Sequence, residues 1–555
     1  MKKDTLAIFG IILLGILMYG LTLRGNLGNP ISEDFLNGLD RPTYAFELSP
    51  ERGRYVHVVA LAEHGTYELT RSWADVAYPD TGFTSDGRFY SYFAPGVAYM
   101  ATPFYLVGKQ FGMGQVFTFS IDSIVSIVTL VFIFLIGLRI FALPRWAAFF
   151  SVLVYAFAST SWSYAITLYQ NAFTTCLVIT GFYATWRFSQ GNSRYDFLYA
   201  GYVWLAYALA ITVDYPNVLL MFPVVCYLAY STFHFEKVKE GYQVAVRYTG
   251  ILTVLIFLLV TGFHLWHNAT YYGGPLKLAG GLKSMNVLID AERIAVSSTS
   301  TLLFESNATT SVSASSTVSD AFNSGTVGST SIETVPSVQN ISAAVQKTPE
   351  KNVVGFFHEK KMVNGLYVLL FSDERGLLFF TPVFFAMFFG IGYVLKRKEA
   401  DNAPYIVSLA LIAMNVFLYS SWGDPWGGWA FGPRYLIPSM PWLALLVGFA
   451  VLGMKSLWRK AFVYLLFLYS VAVALVGALT SNAIPMKEEG LLLPSRTYNF
   501  LLDIEHIYAN ESGSFVYKTY LANHLSLIHY FYILFGFVAL ISAVTLFYSS
   551  QTLHD

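Results

Sequence analysis

Apolar residues gather into runs of about 20 along most of this chain, separated by short polar or charged breaks. Lipid cannot hydrogen-bond a backbone, so runs of that length are expected as helices that satisfy their own amides. About twelve spans are predicted: 5–23, 116–139, 145–161, 166–187, 197–212, 216–232, 247–266, 376–395, 403–420, 436–454, 461–480 and 526–548. Two shorter apolar pieces, 94–108 and 363–371, are broken by Pro, Gly and polar residues and read as interfacial helices. The stretch "SPERGRYVHVVALAEHGTYEL", Ser49 to Leu69, has a different pattern. It is charged, with an apolar stripe through Val56, Val59 and Ala60, which suits a helix lying along a membrane surface with that stripe toward lipid or protein.

Composition agrees with the pattern. Of 555 residues, 55% are hydrophobic and 12% charged, against about 25% charged in soluble domains. The expected class is therefore an all-α polytopic membrane protein. A formal net charge of +0 gives no support to nucleic-acid binding. The two cysteines, Cys176 and Cys226, both lie in apolar stretches, which argues against a disulfide framework or a structural zinc site. The first apolar run is longer than a signal-peptide core and no small-residue cleavage site follows, so it reads as a retained anchor.

Charge then sets the expected orientation. Lys2/Lys3, Arg139/Arg145, Arg187/Arg194, Lys237/Lys239/Arg247, Lys396/Arg397/Lys398 and Lys455/Arg459/Lys460 all fall on one side under this count, the side expected to be cytoplasmic. Both termini then lie in the cytoplasm of a cell-membrane protein. Three regions follow: 1–266, with a first external loop at 24–115; 267–375, an external loop holding a Ser/Thr-rich segment at 296–346; and 376–555, with external loops 421–435 and 481–525. The low charge and Ser/Thr content of 296–346 predict a flexible or glycosylated insertion outside any catalytic core. Four Asn-x-Ser/Thr tripeptides, at Asn268, Asn307, Asn340 and Asn510, fall on the outer side.

The outer loops hold the candidate chemistry. Glu51 opens the charged helix beside Arg52 and Arg54; a carboxylate there serves the helix dipole or does chemistry. In "SDGRFYSYFAPG", Asp86-Gly87 is a turn signal, Arg88 is placed to meet an anionic lipid head group or phosphate or simply to anchor with the tyrosines at the interface, and Asp86 and Tyr92 are candidate substrate contacts. Asp373 and Glu374 precede Arg375 at the mouth of a span, as a helix start or a binding element. In "SSWGDPWGGWAFGPRYLIPSMP", Asp424, Trp426, Trp429 and Arg434 share a glycine-rich turn. Glycine permits close backbone approach and indole faces suit sugar rings, so this turn reads as a binding site. Asp214, in "ITVDYPNVL", is an acidic group between two spans, where a functional role competes with a solvated turn.

These stretches, in this order, resemble the GT-C superfamily of membrane glycosyltransferases, and most of all its branch related to protein O-mannosyltransferases and lipid A aminoarabinose transferase. "ERGRY" at 51–55, "AEHG" at 62–65, "GRFYSYFAPG" at 87–96 and "GGWAFGPRY" at 427–435 carry the resemblance, the last being the most specific. It implies a ring of spans beneath a first external loop with juxtamembrane helices. It also implies transfer of a sugar from a polyprenyl-phosphate donor to a glycan, lipid or protein acceptor on the extracytoplasmic face. By the resemblance Glu51 is the general base, and Arg88 and Arg434 bind the donor phosphate. The chain departs from the family pattern at three positions: Glu51 replaces Asp, Arg52 replaces an acidic residue, and Tyr92 replaces the Lys before the Pro-Gly break. Either Arg88 takes over from that lysine or the activity has changed. The cofactor is left open, a divalent metal among the candidates. A transporter or flippase for lipid-linked sugars and a non-catalytic assembly protein are the competing readings. The nearly charge-free mid-span segments weigh against a transport path.

Overall fold

The computed structural model describes residues 2–29, 46–191, 193–238, 241–289, 357–397 and 401–548. The Ser/Thr-rich segment 296–346, with Asn307 and Asn340, lies outside the described residues.

Among the described residues, eight helices are long and apolar enough to cross a membrane: Lys3–Thr22, Gly114–Arg139, Asp196–Val213, Tyr248–Tyr272, Ala403–Ser420, Arg434–Gly453, Leu457–Leu479 and Leu527–Phe547. The chain is a multi-pass membrane protein by that count. Four other predicted spans are also helical but fall outside that set. Arg145–Phe157, Asn217–Thr232 and Pro382–Val394 are apolar but shorter, and a helix of about 12 residues reaches only about 18 Å. The fourth, Gln170–Ser189, begins four residues later than the 166–187 prediction. Arg145–Phe157 and Gln170–Ser189 bury most of their apolar residues in the protein, whereas Phe222 and Tyr230 on the second short helix and Phe388 and Phe389 on the third are exposed. The two pieces set apart as interfacial are the helices Gly96–Gln110 and Met362–Leu370.

Where helices do face outward, they present large apolar side chains. Leu255, Leu258, Leu259, Phe263 and Trp266 make one exposed face of the Val254–Tyr272 helix, while His264, His267 and Asn268 face inward and are buried. Burial takes Asn268 out of consideration as a glycan acceptor, since its amide is covered and donates to the Pro275 carbonyl.

The bundle has two distinct ends. At one, Arg145 pairs with Asp4, Arg397 donates to the Phe141 carbonyl, Arg139 donates to the Tyr183 hydroxyl and Lys460 lies over the Trp146 ring. The basic clusters of the sequence therefore meet in space. At the other end, Arg24 bridges to Ser514, Phe357 bridges to Trp422 and the Asn482 amide reaches Glu47. The irregular segments of the chain collect there.

The first loop is built onto this second end. Pro50 near the helix start and Gly65 (φ 64°) at its far end bound the charged stretch, which is an α-helix over Ser49–Val59 closed by a π-turn over Ala60–His64. Its stripe of Val56, Val59 and Ala60 is fully buried against protein. Next comes a hairpin, Thr81–Phe83 paired with Phe89–Ser91, whose Asp86-Gly87 tip was legible as a turn. Lys283–Ser284 adds a third antiparallel strand, tying this loop to the segment after the Val254–Tyr272 helix.

Candidate active site

A cleft of about 950 Å³ opens at the second end of the bundle, bounded by the first loop on one side and the 422–435 turn on the other. Acidic groups on its wall are Glu47, Asp80, Asp214, Asp424 and Glu489, and the guanidinium groups are Arg52 and Arg434. Tyr92, Tyr215, Trp422, Trp429 and Tyr435 supply aromatic surface.

The 422–435 turn owes its shape to glycine. Gly427, Gly428 and Gly432 have φ of 74°, 62° and 62°, a region that other residues enter at a cost. A Cβ on Gly427 would stand 2.9 Å from Arg434 Nε, so glycine also keeps room for that guanidinium. Tyr164 pins the turn by accepting from the Phe431 amide (2.9 Å) and donating to the Phe431 carbonyl (3.2 Å). Asp424 caps it by accepting from Gly427 N–H at 3.1 Å. Tyr435 stacks on Tyr419 with ring centroids 4.4 Å apart. Arg434 is partly buried, lies 5.4 Å from the Tyr435 ring centroid and 5.9 Å from that of Tyr169, and keeps an unpartnered Nε.

Asp373 and Glu374 stand behind this turn and do not line the cleft. Glu374 accepts from the Trp426 indole N–H (2.9 Å) and the Lys487 amide (2.6 Å). Asp373 accepts from Lys487 and from the Tyr498 hydroxyl; burial is the largest single influence and raises its carboxyl, but those two partners together outweigh it and hold it below the usual range. Between them Arg375, fully buried, donates to the carbonyls of Trp426, Gly428, Ile484 and Pro485. Burial pulls its guanidinium down to about 10. The Asp-Glu-Arg triplet thus staples the 422–435 turn to the 481–487 segment. Trp426 is part of that staple, while Trp429 faces the cleft and donates to Glu489.

Arg88 and Asp86 are not brought to the cleft. They pair with each other at 2.8 Å on the hairpin, and Arg88 also donates to the Thr270 carbonyl. Asp86, exposed, accepts from Thr84, which with Arg88 holds its carboxyl low. Tyr92, next along that strand, does line the cleft.

Glu51 is 1% exposed. One carboxyl oxygen accepts from the Glu47 amide (2.7 Å) and the other from the Thr167 hydroxyl (2.5 Å). Burial first, and then the negative charge of Glu47, push it up to about 7, against those two hydrogen bonds. Glu51 faces a second cavity of about 590 Å³, also lined by Arg24, Asn26, His506, Asn510 and Lys518; Glu47 lines both cavities. Arg54 lies deeper. It donates to the Pro50 carbonyl and to Gln170, whose amide faces Asp214 at 3.5 Å, and it sits 4.3 Å from the Phe93 ring centroid. Burial lowers Arg54 to about 10 and raises Asp214, the two charges opposing each effect.

Glu47, Arg24, Thr167 and Asn482 were not singled out in the sequence. Only the four-residue spacing of Glu47 and Glu51 was visible there, one turn apart if helical. Among the described residues, no three His, Cys, Asp or Glu side chains form a group that could hold a metal ion.

No family model and no curated protein matches the sequence. Solved structures with similar architecture include the archaeal oligosaccharyltransferase AglB from Archaeoglobus fulgidus, in complex with an inhibitory peptide and a dolichol-phosphate. It is 10% identical with a TM-score of 0.41, and the match covers 85% of this chain but 55% of that one. ArnT from Cupriavidus metallidurans is similar in its apo state (11% identity, TM-score 0.43) and bound to undecaprenyl phosphate (11%, 0.42), each match covering 97% of this chain and 77% of the other.

Proposed function

We propose that this protein is a membrane glycosyltransferase that moves a sugar from a polyprenyl-phosphate donor to an acceptor hydroxyl, at the bundle end opposite the basic clusters. The observation that carries this reading is the meeting of two kinds of group at one end of the bundle. One is a buried carboxyl whose proton affinity lies near neutrality, Glu51; the other is an aromatic cleft holding two guanidinium groups, Arg52 and Arg434. A general base works best when its pKa is close to the working pH. Guanidinium groups in a partly dry cleft suit a phosphate leaving group, and Trp429 and Tyr435 suit a sugar face.

In this reading the acceptor oxygen attacks the anomeric carbon and gives its proton to the Glu51 carboxylate. The bond from that carbon to the phosphate oxygen breaks, and the polyprenyl phosphate leaves with the electron pair, its new charge facing Arg434 and Arg52. Since Arg88 is held at the hairpin by Asp86, the donor phosphate is assigned to the two cleft arginines. The acceptor approaches Glu51 from the 590 Å³ cavity, which shares Glu47 with the donor cleft.

The test is an assay of purified protein with radiolabelled polyprenyl-phosphate sugars and a panel of acceptors. Glu51→Gln keeps both hydrogen-bond distances feasible but cannot take the proton, so transfer should fall by about a hundred- to ten-thousandfold. Arg434→Ala should raise the donor KM or lower kcat by a comparable factor. Glu51→Gln that transfers at the parental rate would leave Glu51 without the assigned role.

A further inference from the structure

We propose that Glu47 is a positioning residue for Glu51: anchored by Arg24 and Asn482, it fixes the Glu51 carboxyl in place and keeps a second negative charge beside it. The proposal rests on the transferase reading only for its consequence in catalysis; its structural basis stands apart.

Glu47 has two functions in one residue. Its Oε2 accepts from Arg24 Nη1 at 2.7 Å and from the Asn482 amide at 2.8 Å, so the side chain is fixed by the end of the first span and by the 481–485 segment. Arg24 is itself held, donating to the Ser163 hydroxyl and the Gly477 carbonyl, and Asn482 donates to the Ser163 carbonyl. With the side chain anchored, the backbone N–H of Glu47 is presented to Glu51 Oε1 at 2.7 Å. The Thr167 hydroxyl holds the other oxygen. Glu51 thus has no rotational freedom that Glu47 and Thr167 do not control. Glu47 is also the acidic residue that the two cavities have in common.

The electrostatic balance is uneven. Arg24 pairs with Glu47 and its charge also reaches Glu51, while Asp503, 1% exposed, adds another carboxyl near Arg24 and Glu47. The other charged or titratable groups facing this region are Arg52 on the same helix, Tyr169 on the segment after Thr167, Lys518 on the Tyr517–Leu521 turn, and His506 and Glu511 on the cavity wall. Arg52 is turned toward the Tyr78 carbonyl and Lys518 toward Asn26. The Glu47 charge is thus the largest electrostatic influence of another side chain on Glu51, exceeding the opposing influence of Arg24. Removing it should let Glu51 ionise more readily.

The experiment is a pH titration of the protonated-carboxyl stretch by infrared spectroscopy on full-length protein in lipid nanodiscs, with the Glu51 band identified by its loss in Glu51→Gln. Glu47→Gln keeps the backbone N–H and the side-chain shape while removing the charge. It should move the Glu51 midpoint down by about one pH unit or more. The acidic limb of the pH–rate profile should move with it, whereas a merely structural residue would change thermal stability and leave the midpoint in place. Glu47→Asp, which retains the charge, should return the midpoint toward the parental value. If Glu47→Gln does not fold, Arg24→Gln takes its place: loss of the counter-charge should move the midpoint up. A midpoint unmoved in whichever variant folds overturns the proposal. Absence of turnover with every donor would sink the transferase reading instead, while the infrared shift would still report on Glu47.

Discussion

His57 shows how a residue inside the first loop can support the site without taking part in it. Its Nδ1 lies 2.9 Å from the Tyr67 carbonyl, and its Nε2 accepts from the Ser91 amide at 3.0 Å. That assignment makes the ring neutral, and burial holds its pKa down to about 3. A histidine depressed below its ordinary value of 6.5 binds fewer protons folded than unfolded. Its contribution to stability is therefore present above about pH 6.5 and is lost as pH falls below that. Glu51 works in the opposite sense. Raised to about 7, it contributes stability below its ordinary value of 4.5 that is lost as pH rises through 7. Between these limits the two effects offset, so the His57 effect is best read as a difference. Thermal unfolding of parent and His57→Gln should show a gap that narrows as pH falls from about 7 to about 5; a gap that widens would contradict a neutral buried imidazole. At this scale the sequence was informative unevenly. Asp424, Trp429 and Arg434 could be read because glycine and tryptophan spacing marks a turn by itself. Glu47 could not, because its partners are Arg24, 23 residues away, and Asn482, 435 residues away.

Elements meet the site through close approaches that only small residues allow. The Ser49–Val59 helix passes over the strand end at 89–93 through Gly53, where a Cβ would lie 2.7 Å from Phe93 Cε2 and 3.1 Å from Ser91 Cβ. Phe93 is also the ring beneath the Arg54 guanidinium, 4.3 Å away. The glycine in "ERGRY" is therefore a packing residue: it lets the helix sit low enough for Arg54 to reach Gln170. Gly53→Val gains some helix propensity, a few tenths of a kcal/mol, but must displace Phe93, and overpacking of this kind costs about 1–3 kcal/mol. The clash should win. A lower melting temperature in detergent is expected, together with weaker sugar transfer; an unchanged melting temperature would show that Phe93 yields freely. Helix existence was legible throughout, because an apolar run in lipid has no other way to satisfy its amides. Helix length was less so. The short helices Arg145–Phe157 and Pro382–Val394 both pack on the Met440–Gly453 helix, but the first buries nearly all its apolar residues and the second leaves Phe385, Phe388 and Phe389 exposed, a difference that composition alone does not show.

For the whole molecule, the decisive property is that its two ends are chemically unlike. One end holds Asp4–Arg145, Arg397 and Lys460; the other holds both cavities, the hairpin and the Asp373–Arg375 staple. We propose from the positive-inside rule that the first end faces the cytoplasm, and the transferase reading then has the second face outward. Two exposed residues report on this directly. Leu492, 87% exposed, lies at the second end, just after the Lys487–Gly490 turn, and Trp458, 86% exposed, lies at the start of the Leu457–Leu479 helix among Lys455, Arg459 and Lys460. In a background with Cys176 and Cys226 replaced, Leu492→Cys should react with a membrane-impermeant maleimide in intact cells, and Trp458→Cys only after permeabilisation. The reverse pattern would invert the molecule and put Glu51, Arg434 and the aromatic cleft on the cytoplasmic side. The acceptor would then have to be sought among cytoplasmic hydroxyls, although the geometry of the site would be unchanged. Labelling of both residues in intact cells would mean that the two ends are not separated by a bilayer, and the eight apolar helices would need another explanation.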